Sequence, residues 1–282
     1  MNQEQINEKI ESEDIEISLL LQGLYLKYGY DFRNYSNAHM KRRILRKLSK
    51  DGLNNISEMQ YKLLYDKEFF KSVLSDFSIN VTEMFRDPSF YKDFRKRVIP
   101  ILRTYPFIRI WHAGCSTGEE VYSMAILLKE EGLYERAQIY ATDFNTTVLQ
   151  KAKDGIYAID NIKEYTHNYQ QAGGTASFAD YYTAQYDSVI IDQSLKKRIT
   201  FSEHNLVTDG VFGEMHVIIC RNVLIYFNKE LQNAVINLFS DSLSNGCFLC
   251  LGSKESVTFS SSRDKFEVLS ESAKIYRKKY IL

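Results

Sequence analysis

From residue 108 onward the chain alternates short β-type segments with longer segments of helical periodicity. The β-type segments include IRIWH, QIYATD, MHVIIC and CFLCLG, and EEVYSMAILLKEEG and NTTVLQKAKDG are two of the helical segments between them. This alternation is typical of βαβ units in a parallel sheet. We therefore expect an α/β domain over residues 107–282, in which the last two segments, FEVLS and AKIYRKKYIL, form a hairpin that adds antiparallel strands at one edge.

The first 77 residues instead have apolar residues spaced by three and four, which predicts helices only. The apolar stripes are Ile17/Leu20/Leu21/Leu24, Met40/Ile44/Leu48, Met59/Leu63 and Phe69/Val73/Leu74/Phe77. Asn37 is placed to cap the second helix and Gly52 to end it. Residues 78–106 read as a linker and a linking helix, which Asp87-Pro88 would start as N-cap and first helical residue.

Residues 156–200 interrupt the strand and helix alternation. A helical piece, a Gly173-Gly174 turn and three strand-like segments, DYYTAQ, DSVIID and KKRITF, follow one another here. The simplest interpretation is a small β subdomain inserted into the α/β domain.

Composition limits the classes of function. The 36 basic residues balance the 36 acidic ones, so no global field favours nucleic acid or an anionic membrane. The four cysteines lie in apolar segments without the second Cys or His pair of a zinc site, so we expect no metal. The acidic N-terminus lacks the features of a signal peptide and no apolar run reaches about 18 residues. These features predict a cytoplasmic protein.

One local concentration of charge stands out in the second predicted helix. Positions 39–50 contain no acidic residue, and the basic or titratable side chains there are His39, Lys41, Arg42, Arg43, Arg46, Lys47 and Lys50. A solvated helix face would have this composition, and so would a surface that docks an acidic helical partner or phosphates. Both interpretations stay open at this stage.

The first predicted strand of the α/β domain runs directly into the loop AGCSTGEE and then into a helix. Such a turn lets the backbone approach a ligand and directs helix N–H groups at it. Gly114 and Gly118 match the outer positions of a nucleotide-binding loop, whereas Ser116 replaces the middle glycine that a pyrophosphate requires. The loop therefore suits a cofactor without phosphates, although Ser116 and Glu119 also have the spacing of a capping box.

Three further polar positions accompany this loop. Asp143 ends the next strand, 25 residues after Gly118, where a carboxylate can accept hydrogen bonds from both ribose hydroxyls or cap the following helix. Arg221 and Asn222 follow a later strand, at the sheet edge where ligands bind in open α/β folds. The irregular segment NVTEMFR (residues 80–86) is the polar part of the linker.

In this order and spacing, the segments NVTEMFRDPSFY, RIWHAGCSTGEEVYSMAILL, ATDFN, FSEHNL and CRNVLIYF closely resemble the chemotaxis receptor methyltransferases of the CheR type. The match spans nearly the whole chain. It implies a class I S-adenosylmethionine-dependent methyltransferase domain with a Rossmann-like sheet, preceded by an all-α domain. It also implies methyl transfer from S-adenosylmethionine to glutamate side chains of chemoreceptors by a monomer, with S-adenosylhomocysteine as product.

The resemblance also implies the roles of individual residues. Asn80, Thr82 and Arg86 would close over the cofactor, Glu119 or Glu120 would supply an acidic contact, and Asp143 would hold the ribose. Arg86 and Tyr226 would act at the transferred methyl group, and Arg42, Arg43, Arg46 and Lys47 would dock the receptor. The full set of implied cofactor-binding positions is Asn80, Thr82, Arg86, Gly114, Glu119, Glu120, Asp143, Asn205, Leu206, Arg221 and Asn222.

The chain departs from the family pattern at two positions, with Met84 in place of the common Phe and Val121 in place of the common Pro. Neither change removes a polar contact. The chemistry fits the residue set, because a glutamate with a pKa near 4.3 is ionised at neutral pH and can attack a sulfonium methyl group without a base.

Three other functions are alternatives to this one. A nucleic-acid methyltransferase is disfavoured by the zero net charge and by the lack of a Pro-Cys or Asn/Asp-Pro-Pro-Tyr motif. A non-catalytic S-adenosylmethionine sensor and a methyltransferase of another signalling protein are the remaining alternatives.

Overall fold

The computed structural model describes residues 3–78 and 82–280. Internal contacts divide the chain into two units. The first contains Met1–Ile79 and Tyr226–Leu231, and the second contains Asn80–Ile225 and Gln232–Leu282.

The first unit is helical, as predicted. Its helices are α1 (Gln3–Tyr28), α2 (Asn37–Asp51), α3 (Ile56–Tyr65) and α4 (Lys67–Phe77). Their core consists of the predicted stripes, with Leu24, Ile44, Met59, Leu63 and Val73 fully buried. In α4, however, it is Phe70 that is buried, and Phe69 is half-buried.

Only the C-terminal end of α2 agrees with the sequence prediction. Gly52, at φ +66°, ends the helix and donates its N–H to the carbonyls of Leu48 and Ser49. The left-handed conformation suits glycine because it has no Cβ. The prediction that Asn37 caps the helix is wrong: Ser36 occupies the N-cap position without a side-chain bond, and Asn37 is the first helical residue.

The first unit also contains a short segment that is distant in sequence. Phe227 forms an antiparallel bridge with Tyr35, and the two rings lie 4.9 Å apart. The Ser36 N–H donates to the Tyr226 carbonyl at 2.8 Å, and the Asn228 N–H donates to the Asn34 carbonyl at 2.9 Å. Backbone pairing therefore attaches residues 226–228 to the chain just before α2.

The second unit is built on a seven-stranded sheet in the order β6-β2-β1-β7-β8-β10-β9. Its strands are β1 (Ile108–Ala113), β2 (Ala137–Asp143), β6 (Ile199–Glu203), β7 (Met215–Cys220), β8 (Leu243–Leu251), β9 (Phe266–Ser270) and β10 (Ile275–Lys278). The first five strands are parallel, and β10 and β9 pair antiparallel at one edge. The predicted Rossmann-like sheet with an antiparallel C-terminal edge is confirmed.

Among the residues that the structure describes, six α-helices accompany this sheet, and five of them lie wholly in the second unit. They are α5 (Pro88–Arg97), α6 (Ile99–Leu102), α7 (Glu119–Glu130), α8 (Thr146–Asp154), α9 (Ile162–Gln171) and α10 (Lys229–Ser242). The first three residues of α10 cluster with the first unit. As predicted, Asp87 is the N-cap residue of α5 and Pro88 its first helical residue.

A second, three-stranded sheet has the order β3-β5-β4, made of β3 (Ile156–Ala158), β4 (Tyr182–Gln185) and β5 (Ser188–Ile191). The segments DYYTAQ and DSVIID belong to it, as expected. The segment KKRITF does not, because residues 199–203 form β6, which pairs in parallel with β2 of the large sheet. Ile199 and Phe201 pack against the main core, and this burial explains why the strand joins the larger sheet.

Candidate active site

The sheet topology places four predicted site segments at one edge. The loop after β1, Asp143 at the end of β2, Asn205 after β6 and Arg221 after β7 all lie at the carboxyl ends of parallel strands. The chain leaves β1 toward β2 on one side, and β7 lies on the other side. Ligands of open α/β sheets bind at such a switch point.

The loop after β1 has a strongly constrained backbone. Gly114, Ser116 and Gly118 have φ values of +78°, +51° and +92°. The N–H groups of Gly114 and Cys115 donate to the Thr142 carbonyl at 2.8 and 2.9 Å. Because α7 begins at Glu119 with Gly118 as N-cap, Ser116 is not a helix cap and the capping-box interpretation is wrong.

Asp143 is a buried carboxylate that faces this loop. Its Oδ2 accepts the Ser116 N–H at 3.0 Å, and its Oδ1 accepts the Asn145 N–H at 3.0 Å. Burial raises its pKa. Each carboxylate oxygen keeps acceptor capacity for a further donor. The alternative role as a cap of α8 is wrong, because Asn145 is the N-cap residue and its side chain accepts the Thr147 N–H.

Glu119 and Glu120 start α7 but have different surroundings. Glu119 is buried, its Oε2 accepts a hydrogen bond from the Thr117 hydroxyl at 2.7 Å, and burial raises its pKa to about 7. Glu120 accepts a hydrogen bond from Arg221 at 2.7 Å and contacts His112 at 3.3 Å. Burial alone would raise the pKa of Glu120, but Arg221 and His112 outweigh it and the pKa is lowered. Within the described ranges no Lys or Arg pairs with Glu119.

Arg221 is the centre of a buried ion-pair network. Its side chain is 2% exposed and also donates to Asp87 at 2.7 Å. Both terminal nitrogens lie 3.3 Å from the Arg86 carbonyl oxygen, and the guanidinium lies 4.2 Å from the centre of the Phe90 ring. The structure thus places Arg221 as a tie between α7 and the segment before α5.

That segment carries Arg86 in an unusual backbone. Phe85 and Asp87, on either side of Arg86, both have φ +55°. The Phe85 N–H donates to the Ser123 hydroxyl at 2.9 Å. Arg86 and Thr82 are half-buried, and Asn80 lies outside the described residues.

Asn205 and Leu206 are half-buried in the turn after β6. The Asn205 side chain accepts the Val207 N–H at 3.0 Å, and its own N–H donates to Asp209 at 2.9 Å. Asn222, at φ +61°, is half-buried in the turn after β7.

Tyr226 clusters with the first unit. His39 of α2 packs edge-on against the Tyr226 ring with ring centres 5.4 Å apart, and the Arg43 guanidinium lies 5.9 Å from the ring centre. Arg43 is half-buried and donates to the carbonyls of Asp76 and Phe77 at 2.9 and 2.7 Å. It therefore caps the end of α4 as well as contributing charge to α2.

The other three predicted docking residues separate into exposed and buried positions. Arg42 and Arg46 are exposed. Lys47 is not presented at the surface: its side chain is 1% exposed and pairs with Asp51 and Asp76 at 2.9 and 2.8 Å. Burial alone would lower its pKa, but the two carboxylates outweigh it and the pKa is raised. The charge of Lys47 is thus satisfied inside the helical unit.

The sequence analysis missed one residue at this edge of the sheet. Glu255 is 4% exposed, follows the parallel strand β8, and accepts hydrogen bonds from four backbone N–H groups, three of them in the turn after β7. Its position after a parallel strand was the available signal, because the same reasoning identified Asp143 and Arg221.

Two family models match this chain. The model described as "CheR methyltransferase, SAM binding domain" matches residues 80–275, and "CheR methyltransferase, all-alpha domain" matches residues 15–78. The chain belongs to the CheR methyltransferase family. CheR methyltransferases are S-adenosylmethionine-dependent, and in this member the four segments at the carboxyl edge of the sheet lie within the S-adenosylmethionine-binding match.

Individual relatives agree with this assignment. The chain is 54% identical over 265 residues to "Putative methyltransferase Cher3" of Pseudomonas putida, covering 94% of this chain and 97% of the relative. It is 31% identical over 231 residues to "Chemotaxis protein methyltransferase" of Listeria innocua, covering 81% and 85%. A protein of the same name from Borreliella burgdorferi is 28% identical over 272 residues, covering 91% and 93%.

Over residues 3–78 and 82–280, no helix is long and apolar enough to cross a membrane. The same part of the chain contains no group of three or more His, Cys, Asp or Glu side chains that could hold a metal ion.

Proposed function

We propose that this CheR-family protein transfers a methyl group from S-adenosylmethionine to glutamate side chains of chemoreceptors. The observation that carries the proposal is the convergence of Asp143, Glu119 and the constrained Gly114–Gly118 loop at the carboxyl edge of the sheet. The relatives named chemotaxis protein methyltransferase support a substrate in chemotaxis.

The residues at this edge fit S-adenosylmethionine. The cofactor offers two ribose hydroxyls as donors and an α-ammonium group as a cation. Asp143 is a buried carboxylate with acceptor capacity for the hydroxyls. Glu119 is a second buried carboxylate whose raised pKa indicates a site that a cation would stabilise.

The contrast between the two glutamates supports assigning the cofactor contact to one of them. Glu120 is already neutralised by Arg221 and hydrogen-bonded to His112. Glu119 accepts a hydrogen bond from the Thr117 hydroxyl, and no Lys or Arg of the described residues forms an ion pair with it. We therefore assign Glu119 to the α-ammonium group. Glu120 and Arg221 then act indirectly, by fixing the segment that carries Arg86. Asn205 and Leu206 flank the adenine, and Asn222 completes the pocket.

When bound, the cofactor supplies an electrophilic methyl group on a sulfonium. A substrate glutamate is ionised at neutral pH, so the protein needs no general base. Arg86 attracts and orients the carboxylate. Held by Asp143 and Glu119, S-adenosylmethionine would supply the methyl group to that carboxylate and would leave as S-adenosylhomocysteine. Positioning of this kind lowers a barrier by as much as about 7–11 kcal/mol in the best intramolecular models.

Receptor docking is assigned to the exposed guanidinium groups of α2. Arg42 and Arg46 are exposed on a helix with no acidic residue before Asp51. The cytoplasmic part of a chemoreceptor is expected to offer an acidic helical surface to these charges.

The test is methyl transfer to a purified chemoreceptor cytoplasmic domain with tritiated S-adenosylmethionine. We expect label in the receptor that mild base releases as methanol, because carboxylate methyl esters are base-labile. Asp143→Asn should reduce the label at subsaturating cofactor, and Asp264→Asn, an exposed aspartate of the same unit, should not. Base-stable label would contradict ester formation, and cofactor binding without any label would support a non-catalytic sensor.

A further inference from the structure

Glu255 binds four backbone N–H groups with one carboxylate. Its Oε1 accepts from Val223 and Ile225 at 2.9 and 3.2 Å, and its Oε2 accepts from Asn222 and Gly252 at 3.1 and 2.6 Å. Among the described residues no Lys or Arg forms an ion pair with it. Burial raises its pKa, and the four N–H groups act in the opposite direction.

A buried carboxylate without a cation is costly, so a simple packing role would be better served by an uncharged side chain. The carboxylate is suited to another task. Hydrogen bonds to an ionised acceptor are stronger and shorter than neutral ones, and three of these four come from a single turn. The turn is residues 221–225, directly after β7.

The surrounding backbone leaves little freedom around this interaction. Asn222 is left-handed at φ +61°. A Cβ at Gly252 would lie 2.8 Å from both the Asn222 nitrogen and the Glu255 Oε2. Only glycine therefore fits where the carboxylate meets the turn.

The 221–225 turn also contacts the loop after β1. A Cβ at Gly114 would lie 2.7 Å from the Val223 Cγ2 atom, so the Val223 side chain lies directly against the Gly114 backbone. The N–H of that same Val223 donates to Glu255. Three contacts therefore connect Glu255 to the cofactor loop. Glu255 accepts the Val223 N–H, the Val223 side chain packs against Gly114, and the N–H of Ser116, two residues later in the loop, donates to Asp143.

We infer that Glu255 is a positioning residue of the methyltransferase: its carboxylate holds the 221–225 turn and, through Val223, sets the cofactor loop at Gly114. The inference rests on the proposed function only in that the cofactor binds at this sheet edge. It assigns Glu255 no contact with the cofactor or the substrate. The effect of changing it should therefore appear in cofactor affinity and in turnover together.

The decisive experiment measures S-adenosylhomocysteine binding by calorimetry for wild type and Glu255→Gln. A carboxamide presents one oxygen and one NH₂ donor, so two of the four N–H groups would face another donor. We expect at least a fivefold weaker affinity and at least a tenfold lower kcat at saturating cofactor. Unchanged affinity and kcat in a folded Glu255→Gln protein would overturn the inference.

Glu130→Gln is the matched control for burial. The Glu130 side chain is 3% exposed, pairs with Arg95, and accepts from the Tyr169 and Tyr181 hydroxyls and the Thr175 N–H. It differs from Glu255 in having a cation partner, and it lies at the other end of α7 from the cofactor loop. It should lower the melting temperature without changing the affinity for S-adenosylhomocysteine. An equal loss of affinity in both variants would mean that general destabilisation is the cause, and would also overturn the inference.

A second variant tests the connection from Glu255 to the cofactor loop if Glu255→Gln does not fold. Val223→Ala removes the methyl contact with Gly114 and keeps the Val223 N–H, whereas Val235→Ala removes the same atoms from a buried valine of α10. We expect at least a threefold loss of affinity for Val223→Ala alone, and equal affinities would refute the proposed connection. Absence of S-adenosylhomocysteine binding by the wild type would instead contradict the proposed function.

Discussion

Glu119 and Glu120 differ by one position in the sequence and by the sign of their pKa shifts. Burial raises the pKa of Glu119 to about 7, whereas Arg221 and His112 overcome burial and lower the pKa of Glu120. The sequence predicted an acidic contact at this pair and could not choose between them. The choice depends on Arg221, which is 101 residues away in the chain and meets Glu120 only in the folded sheet.

The raised pKa of Glu119 predicts a pH dependence of cofactor binding. The pKa of Glu119 is 4.5 in the unfolded chain and about 7 in the folded protein, so its protonated form stabilises the fold. This contribution is fully present below pH 4.5 and is lost as the pH rises through about 7. Binding of an α-ammonium group requires the ionised form, so the affinity for S-adenosylhomocysteine should fall as the pH drops below 7. The affinity is measured by calorimetry from about pH 5.5 to about pH 8.5, a range that covers about 1.5 pH units on either side of 7.

Glu119→Gln should remove this pH dependence and weaken binding at pH 8. It should also make the cofactor-free protein more stable at pH 8, by up to about 3 kcal/mol, because the buried charge is removed. Glu135→Gln, on the surface of the same unit, is the control. A Glu119→Gln protein with the wild-type pH profile would show that another group titrates.

Arg86→Ala should impair turnover more than folding. The contact that Arg86 makes with Arg221 uses its backbone carbonyl, which alanine retains. We expect a melting temperature within about 3 °C of wild type and a methyl-transfer rate at least about tenfold lower, equivalent to about 1.4 kcal/mol in the barrier. Arg97→Ala, an exposed arginine of α5, should leave both unchanged. An unfolded Arg86→Ala protein, or a fully active one, would indicate a structural role.

At the scale of elements, the periodic patterns located the helices of the first unit and the parallel strands well. They assigned KKRITF to the inserted subdomain, whereas residues 199–203 extend the large sheet beside β2. A short apolar run does not specify which sheet it joins, because the choice is made by burial of Ile199 and Phe201 against a core formed by distant residues. The three-stranded sheet therefore ends at Ile191.

Helix α2 combines structural and surface charges, which the sequence could not separate. Lys47 and Arg43 are committed to contacts with α4, whereas Arg42 and Arg46 are exposed. Reversal of Arg42 and Arg46 to Glu should raise the KM for the receptor and leave S-adenosylhomocysteine affinity unchanged. The effect should diminish with salt, because the Debye length falls from about 10 Å at 0.1 M to about 3 Å at 1 M.

The measurement is the initial methylation rate against receptor concentration at two salt concentrations. The matched control is the double charge reversal Lys62→Glu and Lys71→Glu. Each of these lysines pairs with a glutamate of its own helix, Lys62 in α3 and Lys71 in α4. Identical curves for wild type and the Arg42/Arg46 variant would show that α2 is a solvated face, and that the receptor docks elsewhere. The inserted three-stranded sheet would then be the next surface to test.

At the scale of the whole molecule, the sequence predicted a helical unit and an α/β unit. It did not predict that a short segment within the α/β part of the sequence clusters with the helical unit. Residues 226–231 lie beyond β7 in the chain, yet cluster with the helical unit through the pairing of Phe227 with Tyr35. Isolated backbone pairing between distant segments leaves no periodic pattern in a sequence. The same holds for Glu255, whose four partners are backbone groups that any residue supplies.

We propose that the carboxyl edge of this sheet serves methyl transfer to receptor glutamates. The most direct test is peptide mass mapping of a purified chemoreceptor cytoplasmic domain after incubation with the protein and S-adenosylmethionine. We predict one added methyl group on specific glutamate side chains, lost after mild base and formed at least about tenfold more slowly when Arg86→Ala replaces the wild type. Methylation of a nitrogen, of a cysteine or of nucleic acid, or cofactor binding with no modified glutamate, would contradict the account.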